Sequence, residues 1–544
     1  IQDFIYTITS KGALKGLRSR SFYLEIMMEH LIDSLLEKLF LSRVNLIYSG
    51  GGHAYILLPN TEKVRKIVGD FEQEVNEWFL EMFETQLYIA GGGAVCSASD
   101  FWNEPEGSYR EIFQNISKEI SFKKLHRYSP KQVIKLNHSG MPDGERECSI
   151  CHRHDYLKDG ETECEICWTL KQMSGNILKG DFFTVTSKKE KTCLPLSGNC
   201  YLVTDTESTL RKRMKEDNYY IRSYSKNKPY SGYYVSTKLW VGDYVNGETF
   251  EELGQRATGI ERIAVMRADV DNLGQAFVRG FENEKNGSKY VTLSRTATFS
   301  RKLSMFFKYH INSLLKEGGY SILEEEAQME KENDRRNALI VYSGGDDIFI
   351  VGAWDDIIGF AVDLHDNLME YSQDTLKISA GIGIYPSKYP ISIMARETGR
   401  LEEAAKSVEG KNAVALFDEK YTFPWEEFIE NVVEEKLYFI QKYFKVVDEK
   451  GKNFLYNLLE LVRKRKEDKI NIARFAYLLG RMEPKVQRGE KKEEIEEKRD
   501  LHREFSRKMY EWIRVEKDAK ELEMAIYLYV YTKREKEEHD GVNE

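Results

Sequence analysis

The spacing of apolar residues changes along the chain and divides it into regions of different secondary structure. Residues 21–40 carry apolar side chains at helical spacing, which predicts an amphipathic helix. β-Branched and aromatic residues fill two short runs, 337–342 and 348–351, which predict buried strands. Helical spacing returns from residue 422 and continues through 454–462, 470–479 and 501–512. The pattern therefore predicts an α+β chain that closes with a helical bundle.

The two predicted strands meet at the sequence Ser343-Gly344-Gly345-Asp346-Asp347. Paired glycines at such a position predict a tight hairpin turn with positive φ angles. Adjacent carboxylates repel each other unless a cation lies between them, so the tip predicts a divalent-metal site that recruits phosphate oxygens. An acidic turn facing water is the alternative.

A second acidic motif ends the apolar run 263–268, where Asp269 and Asp271 follow at i and i+2. The two-residue period of a strand places both side chains on one face. If this strand lies beside the hairpin, four carboxylates gather at one place: Asp269, Asp271, Asp346 and Asp347. We predict these as the catalytic residues, with Asp269, Asp346 and Asp347 as ligands of Mg²⁺ or Mn²⁺.

These paired motifs resemble the palm of GGDEF-type nucleotide cyclases. More closely, the chain is similar to the large polymerase-like subunit of type III CRISPR effector complexes, of the Csm type found in type III-A systems. The resemblance implies a target-RNA-activated nucleotidyltransferase that makes cyclic oligoadenylates from ATP. It also implies guide RNA, target RNA and the other subunits of the complex as partners.

The region after residue 260 predicts the ferredoxin-like layout of a palm. An Asp-x-Asp strand, a helix at 300–315, a polar linker at 324–336, the hairpin, a helix at 356–371 and a strand at 376–384 follow one another. We expect an antiparallel-containing sheet with helices on one face. In such palms a lysine of the next helix binds phosphate. Lys406 matches it, and Lys411 is the second choice.

The hairpin motif occurs twice. Tyr48-Ser49-Gly50-Gly51 matches residues 342–345, and the run 87–95 lines up with 376–384, which predicts a second, N-terminal palm. Its tip carries Gly52 and His53 where the other has aspartates, so it offers backbone N–H groups rather than metal ligands. In the resembling family two ATP molecules lie between the palms. This implies nucleotide contacts at Ser49, Gly50 and Gly51, and at Ser343, Gly344 and Gly345.

Four of the seven cysteines form two Cys-x-x-Cys pairs, Cys148/Cys151 and Cys164/Cys167. Two such pairs give four thiolates in tetrahedral reach, which predicts a structural zinc site. His152 and His154 lie between the pairs and are expected to be exposed, since four cysteines already complete the shell. Cys96, Cys193 and Cys200 show no ligand spacing and are expected to pack in the interior.

The length of 544 residues is too great for one core, and we predict four domains. They are a first palm at 1–128, a zinc-binding linker domain at 129–245, a second palm at 246–421 and a helical bundle at 422–544. No apolar run is long enough for a membrane span and no leader opens the chain, so a soluble cytoplasmic protein is expected.

The net charge of −9 limits any RNA contact to local basic patches. Two basic stretches, 210–215 and 463–466, are candidates for RNA or partner contact, and a solvated charged face explains the first equally well.

The opening residues 1–8 read as the end of a strand. Similar family members carry Asp-Ile-Ser-Gly before this run, and many carry a histidine-aspartate nuclease domain further upstream. Neither is in this sequence, so nuclease activity is not expected from the residues present. Two other functions stay open: a cyclic dinucleotide synthase, disfavoured by Asp347 in place of the usual Glu, and an inert RNA-binding scaffold.

Overall fold

The computed structural model describes residues 2–6, 13–138, 144, 146–282, 284–324, 335–447, 453–484 and 492–534. Most of the predicted polar linker, residues 325–334, lies outside the described residues. No described helix is long and apolar enough to cross a membrane.

The N-terminal region surrounds one short hairpin with helices. Its elements are α1 (Gln2–Tyr6), α2 (Ala13–Lys38), β1 (Leu46–Gly50), β2 (His53–Ile56), α3 (Glu62–Phe83), α4 (Ser108–Leu125) and α5 (Pro130–His138). The helix and the hairpin predicted here are confirmed. The strand expected at residues 1–8 is wrong, because residues 2–6 form α1. Phe4 and Ile5 are buried there, and a short apolar run does not distinguish a buried helix from a buried strand.

The run 87–95, which lines up with the strand predicted at 376–384, does not form a strand and joins no sheet of the described structure. Side chains satisfy its backbone instead of a neighbouring strand. Asn76 both donates to the Ile89 carbonyl and accepts from its N–H, each at 2.9 Å. Glu72 accepts from the Gly91 N–H at 2.9 Å. With these groups paired to side chains, the segment needs no β-ladder to satisfy its polar backbone.

The middle region holds the cysteine pairs and a six-stranded sheet with the order β6-β7-β5-β8-β10-β9. Its elements are β3 (Arg146–Glu147), β4 (His154–Asp155), α6 (Glu165–Lys179), β5 (Phe182–Thr186), β6 (Leu194–Leu196), β7 (Cys200–Asp205), α7 (Glu207–Glu216), β8 (Tyr220–Lys226), β9 (Tyr230–Ser231) and β10 (Val235–Leu239). The sequence between residues 182 and 245 mixes short β-like runs with a basic helix, which indicates strands but not that they assemble into one sheet.

A second six-stranded sheet follows, with the order β12-β13-β11-β14-β15-β16. Its region comprises α8 (Phe250–Gln255), β11 (Ile263–Val270), α9 (Leu273–Arg279), α10 (Leu293–Met305), a π-helical turn (Phe306–His310), α11 (Ile311–Glu317), β12 (Ala338–Ser343), β13 (Asp347–Ala353), α12 (Trp354–Ser372), β14 (Ile378–Tyr385), α13 (Ile391–Lys406), β15 (Ala413–Leu416) and β16 (Thr422–Pro424). Strand β11 lies at the centre, antiparallel to both β13 and β14. The predicted palm layout is confirmed.

Both faces of this sheet are covered, which corrects the expectation of helices on one face. Along β11, Ala264 and Met266 pack into the core formed with α10, α11 and α12. The alternate residues Ile263 and Val265 pack against α8, α13 and the N-terminal helices, including Leu17 of α2. The strand is apolar on both faces for this reason. The N-terminal region thereby shares a core with the second sheet.

The C-terminal region is helical, as predicted, after the short strand β16. It contains a π-helical stretch (Glu427–Leu437) and the helices α14 (Tyr438–Val446), α15 (Asn453–Lys464), α16 (Ile470–Gly480), α17 (Lys492–Arg514) and α18 (Glu516–Lys533). Helix α18 was not predicted. It is buried on most sides, and its Glu521 meets Lys436 at 2.6 Å in the interior.

Candidate active site and metal centre

The acidic motifs meet at one edge of the second sheet. Asp269 is the cross-strand partner of Asp347 in the antiparallel pair β11–β13. The Val270 N–H donates to the Asp346 carbonyl at 3.1 Å, which holds the hairpin tip against the end of β11. The structure therefore brings Asp269, Asp346 and Asp347 together, as the sequence predicted.

The hairpin turn is closed by a hydrogen bond of 2.8 Å from the Gly344 N–H to the Asp347 carbonyl. Neither Gly344 nor Gly345 has a positive φ, so the conformational reason predicted for them is wrong. Their lack of a side chain allows neighbouring side chains to approach closely. A Cβ at Gly344 would lie 2.2 Å from Oδ1 of Asp347, and one at Gly345 would lie 2.3 Å from the Tyr48 hydroxyl.

The three carboxylates are hard to ionise together. Burial, followed by the neighbouring charges of Asp346 and Asp269, raises the pKa of Asp347 to about 7. Burial and the charge of Asp269 raise the pKa of Asp346 to about 6. The pKa of Asp269 is also raised by burial, although Lys406 opposes the rise. A divalent cation would relieve both the desolvation and the mutual repulsion.

Asp271 lies beside this group but is engaged differently. Its Oδ2 accepts from the Ser379 hydroxyl at 2.9 Å and from the Asn412 N–H at 3.0 Å. Its Oδ1 is buried and, among the described residues, has no hydrogen-bond partner. Asp269 and Asp271 were predicted to point the same way. In the structure Asp269 lies at the hairpin, whereas Asp271 connects the end of β11 to the segment before β15.

The two predicted lysines lie on the same side of the site. Lys406, at the end of α13, contacts Oδ2 of Asp269 at 2.5 Å and Oε1 of Glu402 at 2.6 Å. Lys411 donates to Oδ1 of Asn272 at 2.8 Å. The ammonium group of Lys406 therefore lies next to the carboxylates.

The first hairpin faces the second. Gly51 and Gly52 both have positive φ and form its two-residue turn. A Cβ at Gly51 would lie 3.4 Å from Oδ1 of Asp346, so the two tips are in contact range. Ser49 donates to Oε1 of Glu29 at 2.7 Å. The structure thus brings the glycine-rich tip of the first hairpin to the acidic tip of the second.

The donor set fits divalent cations. Oδ1 of Asp347 is buried and, within the described part of the chain, lacks a hydrogen-bond partner. It stands among carboxylates of raised pKa, and carboxylate oxygens are the ligands that Mg²⁺ prefers. The three carboxylates are neighbours but do not form a closed ligand shell: among the described residues, only the four cysteines bring three or more potential ligand atoms within 4.8 Å of one another.

The four-cysteine cluster is confirmed. Cys148, Cys151, Cys164 and Cys167 are all buried, with Sγ of Cys151 and Cys164 3.9 Å apart. Helix α6 begins directly after Cys164, and the Cys164 N–H donates to Sγ of Cys148 at 3.2 Å. The buried Arg20 of α2 donates to Sγ of Cys167 at 2.9 Å, which links the cluster to the N-terminal helices.

The remaining cysteines and histidines follow the sequence interpretation in part. Cys193 is buried, while Cys96 and Cys200 are partly exposed. His152 is exposed and contacts Glu147 at 2.8 Å. His154 is exposed in β4.

The two basic stretches are largely paired within the chain. Arg213 contacts Asp205, Glu190 and Asp217. Arg463 contacts Glu523 at 2.8 Å, and Lys464 contacts Glu460 at 2.5 Å. These pairs reduce the positive charge that either stretch offers to a partner.

Sequence reasoning missed several residues at the two tips. Tyr48 and Tyr342 stand at equivalent positions of the repeated motif, and each has its pKa raised by burial and then by nearby aspartates. The repeat itself was the available signal. Glu25, Glu29 and Lys308 also lie there, but they come from helices whose sequences carry no motif.

Three family models match the chain. The model of the Csm1 subunit domain B matches residues 1–139, that of the Cas10/Cmr2 second palm domain matches residues 262–415, and that of the second helical domain of the Cmr2 subunit of the CRISPR RNA silencing complex matches residues 441–535. The palm model covers the strand and hairpin that carry Asp269, Asp346 and Asp347.

A curated relative from Mycobacterium tuberculosis is 44% identical over 553 residues. It is named CRISPR system single-strand-specific deoxyribonuclease Cas10/Csm1 of subtype III-A, and the match covers 99% of this chain but 66% of that protein. A Csm1–Csm4 subcomplex of the type III-A CRISPR-Csm interference complex aligns with a TM-score of 0.70 at 25% identity, over 98% of this chain and 68% of that chain.

A Csm1–Csm4 cassette in complex with cA4 aligns with a TM-score of 0.68 at 23% identity, over 98% of this chain and 68% of that chain. At this identity the likeness speaks for the fold. The chain with these two facing hairpins and this acidic sheet edge is thus similar to Csm1 in sequence, in its family models and in its fold. The chain therefore belongs to the Cas10/Csm1 family of subtype III-A CRISPR systems.

Proposed function

We propose that this chain is a nucleotidyltransferase that joins and cyclises ATP into oligoadenylates when its CRISPR complex binds target RNA. Its partners in this proposal are guide RNA, target RNA and the other subunits of a type III-A effector complex. The observation that carries the proposal is the meeting of Asp269, Asp346 and Asp347 directly opposite a second, glycine-tipped hairpin. Support also comes from the fold shared with a Csm1–Csm4 cassette that binds cA4.

Asp269, Asp346 and Asp347 would hold Mg²⁺ or Mn²⁺, and the bound ions would activate a 3′-hydroxyl and neutralise the charge of the transferred phosphate. Asp271 would bind a cation only through Oδ1, because Oδ2 already accepts hydrogen bonds from Ser379 and Asn412. Lys406 would exchange part of its contact with Asp269 for the triphosphate of the substrate, and Lys411 lies one loop further away.

The first hairpin would hold the second nucleotide without activating it. Its turn is formed by the partly exposed Gly51 and the exposed Gly52, whose lack of side chains would let a nucleotide approach the backbone, and it has no carboxylate at the tip. Ser49 is held by Glu29, and in the second hairpin Ser343 and the two following glycines stand at the matching positions. Division of labour between one metal-binding tip and one nucleotide-holding tip would explain why Gly52 and His53 stand where the second hairpin has Asp346 and Asp347.

The four-cysteine cluster is proposed as a structural zinc site. Tetrahedral thiolate sites of this kind contribute folding energy and leave no position open for substrate. The four domain boundaries and the cytoplasmic location remain predictions.

The chain spans 66% of the length of the Mycobacterium tuberculosis relative, whose name states a deoxyribonuclease activity. We do not assign that activity to the residues described, and our expectation that they lack it remains a prediction. A nuclease assay on single-stranded DNA tests it directly.

The decisive experiment assembles the protein with its partner subunits and guide RNA and supplies radiolabelled ATP or GTP, with and without target RNA. We expect adenylate oligomers and rings only with ATP and target RNA, and none from the Asp346→Ala/Asp347→Ala variant at unchanged RNA binding. A cyclic dinucleotide formed without target RNA would identify the chain as a dinucleotide synthase. RNA binding with no nucleotide product would make it an inert scaffold.

A further inference from the structure

A partly buried ion pair links the helices that carry the two halves of the site. Lys308, in the π-helical turn Phe306–His310, contacts Oε1 of Glu25 on α2 at 2.5 Å. The side chains are 12% and 23% exposed, and the partners are 283 residues apart in the sequence. An ion pair that is largely shielded from solvent loses part of the hydration of both charges, and such a pair can fix the relative position of the elements that carry it.

Each hairpin is tied to one of the two helices that the ion pair joins. Ser49 of the first hairpin donates to Oε1 of Glu29, one turn along α2 from Glu25. Ser343 of the second hairpin donates to the carbonyl of Phe307, the residue before Lys308. The connection therefore runs from one tip through α2, across the ion pair and through the π-helical turn to the other tip.

The π-helical turn makes this connection possible. A π-turn inserts one residue into a helix and frees backbone carbonyls from their regular intrahelical partners. Here it presents the Phe307 carbonyl to Ser343, while the adjacent Lys308 faces the small cavity of about 50 Å³ between the hairpins. The cavity is also lined by Glu25, Glu29, Ser49 and Ser343.

We propose that Lys308 and Glu25 are a positioning pair that sets the distance between the two hairpin tips. This inference rests on the proposed function, because two nucleotides must meet in line between the tips for the joining reaction. Loss of the pair then lowers the rate of joining without removing either nucleotide site.

The first test is kinetic and uses the assembled complex. We expect Lys308→Met to lower the rate of oligoadenylate formation at saturating ATP about tenfold or more, as small misplacements of reacting groups do, with KM within about threefold of wild type. The charge swap Lys308→Glu/Glu25→Lys is expected to recover most of the lost rate. A rate within about twofold of wild type in folded Lys308→Met, or a swap no better than the single variant, would overturn the proposal.

The second test needs no catalysis, so it separates failure of this inference from failure of the proposed function. Gly51→Cys and Asp346→Cys place thiols at the two tips, where Gly51 faces Asp346. Disulfide formation between them, mapped by mass spectrometry, is expected to slow when Lys308→Met is added and to return with the charge swap. Unchanged disulfide formation would refute the positioning role even if the complex makes oligoadenylates.

Glu25→Gln provides the milder variant, should Lys308→Met fail to fold. It keeps the shape of the side chain and removes its charge, so Lys308 retains a hydrogen-bond acceptor. We expect the same direction of change in both tests with a smaller size. Wild-type behaviour of folded Glu25→Gln in both tests counts against the proposal.

Discussion

Replacing Asp346 and Asp347 by Asn should stabilise the metal-free protein while abolishing nucleotide joining. In the folded protein both carboxyl groups have a raised pKa, to about 6 and about 7 from 3.8, so each resists ionisation. A carboxyl group with a raised pKa does not lower the free energy of unfolding at a pH below its unfolded pKa. The destabilisation grows as the pH rises and is complete above the folded pKa.

The magnitude follows from the shift. A rise from 3.8 to about 7 at Asp347 corresponds to about 4 kcal/mol, at about 1.4 kcal/mol for each tenfold change in the equilibrium. The two aspartates share the same repulsion, so their effects do not add. We expect the double variant to be more stable than wild type by about 2–4 kcal/mol at pH 8, with the difference vanishing near pH 4.

Chemical unfolding from pH 4 to pH 8, without divalent cations, measures the difference. Glu403→Gln/Glu409→Gln removes two carboxylates from exposed positions of the same region and is the matched control. Adding Mg²⁺ should stabilise wild type and leave the Asn variant unchanged, because a ligand stabilises only the state that binds it. Parallel stability profiles for wild type and variant, or equal stabilisation by Mg²⁺, would refute the assignment of this tip as the cation site.

Three further predictions concern the zinc site and the hairpins. Cys148→Ser should lower the zinc content measured by elemental analysis together with the melting temperature, whereas Cys193→Ser should leave zinc content unchanged; equal zinc in both variants contradicts the site. Ser49→Ala should weaken ATP use but leave Mg²⁺ affinity measured by calorimetry nearly intact, and a parallel loss of both would contradict the divided roles of the hairpins. Gly345→Ala should reduce oligoadenylate synthesis strongly, because its Cβ would lie 2.3 Å from the Tyr48 hydroxyl, while Gly175→Ala, with nothing within 4 Å, should behave as wild type.

Local features of the sequence determined the parts of the site that depend on residue type and short spacing. The alternation of β11 and the glycine-aspartate tip predicted which carboxylates gather if the two motifs lie side by side. The resemblance to a palm implied that arrangement, and the structure shows Asp269 opposite Asp347. The two cysteine pairs predicted their cluster for a similar reason, since two short knuckles carry all four thiols.

Tertiary structure decided what depends on neighbours far away in the chain. Residues 87–95 have a strand-like composition but form no ladder, because Asn76 and Glu72 satisfy their backbone. Helix α2 covers one face of the second sheet together with α8 and α13, and the packing of α2 also brings Glu25 to Lys308. A side chain at position 345 would collide with Tyr48, which approaches from the other hairpin, so glycine is favoured there. No local pattern encodes such contacts, since each depends on how two distant segments pack.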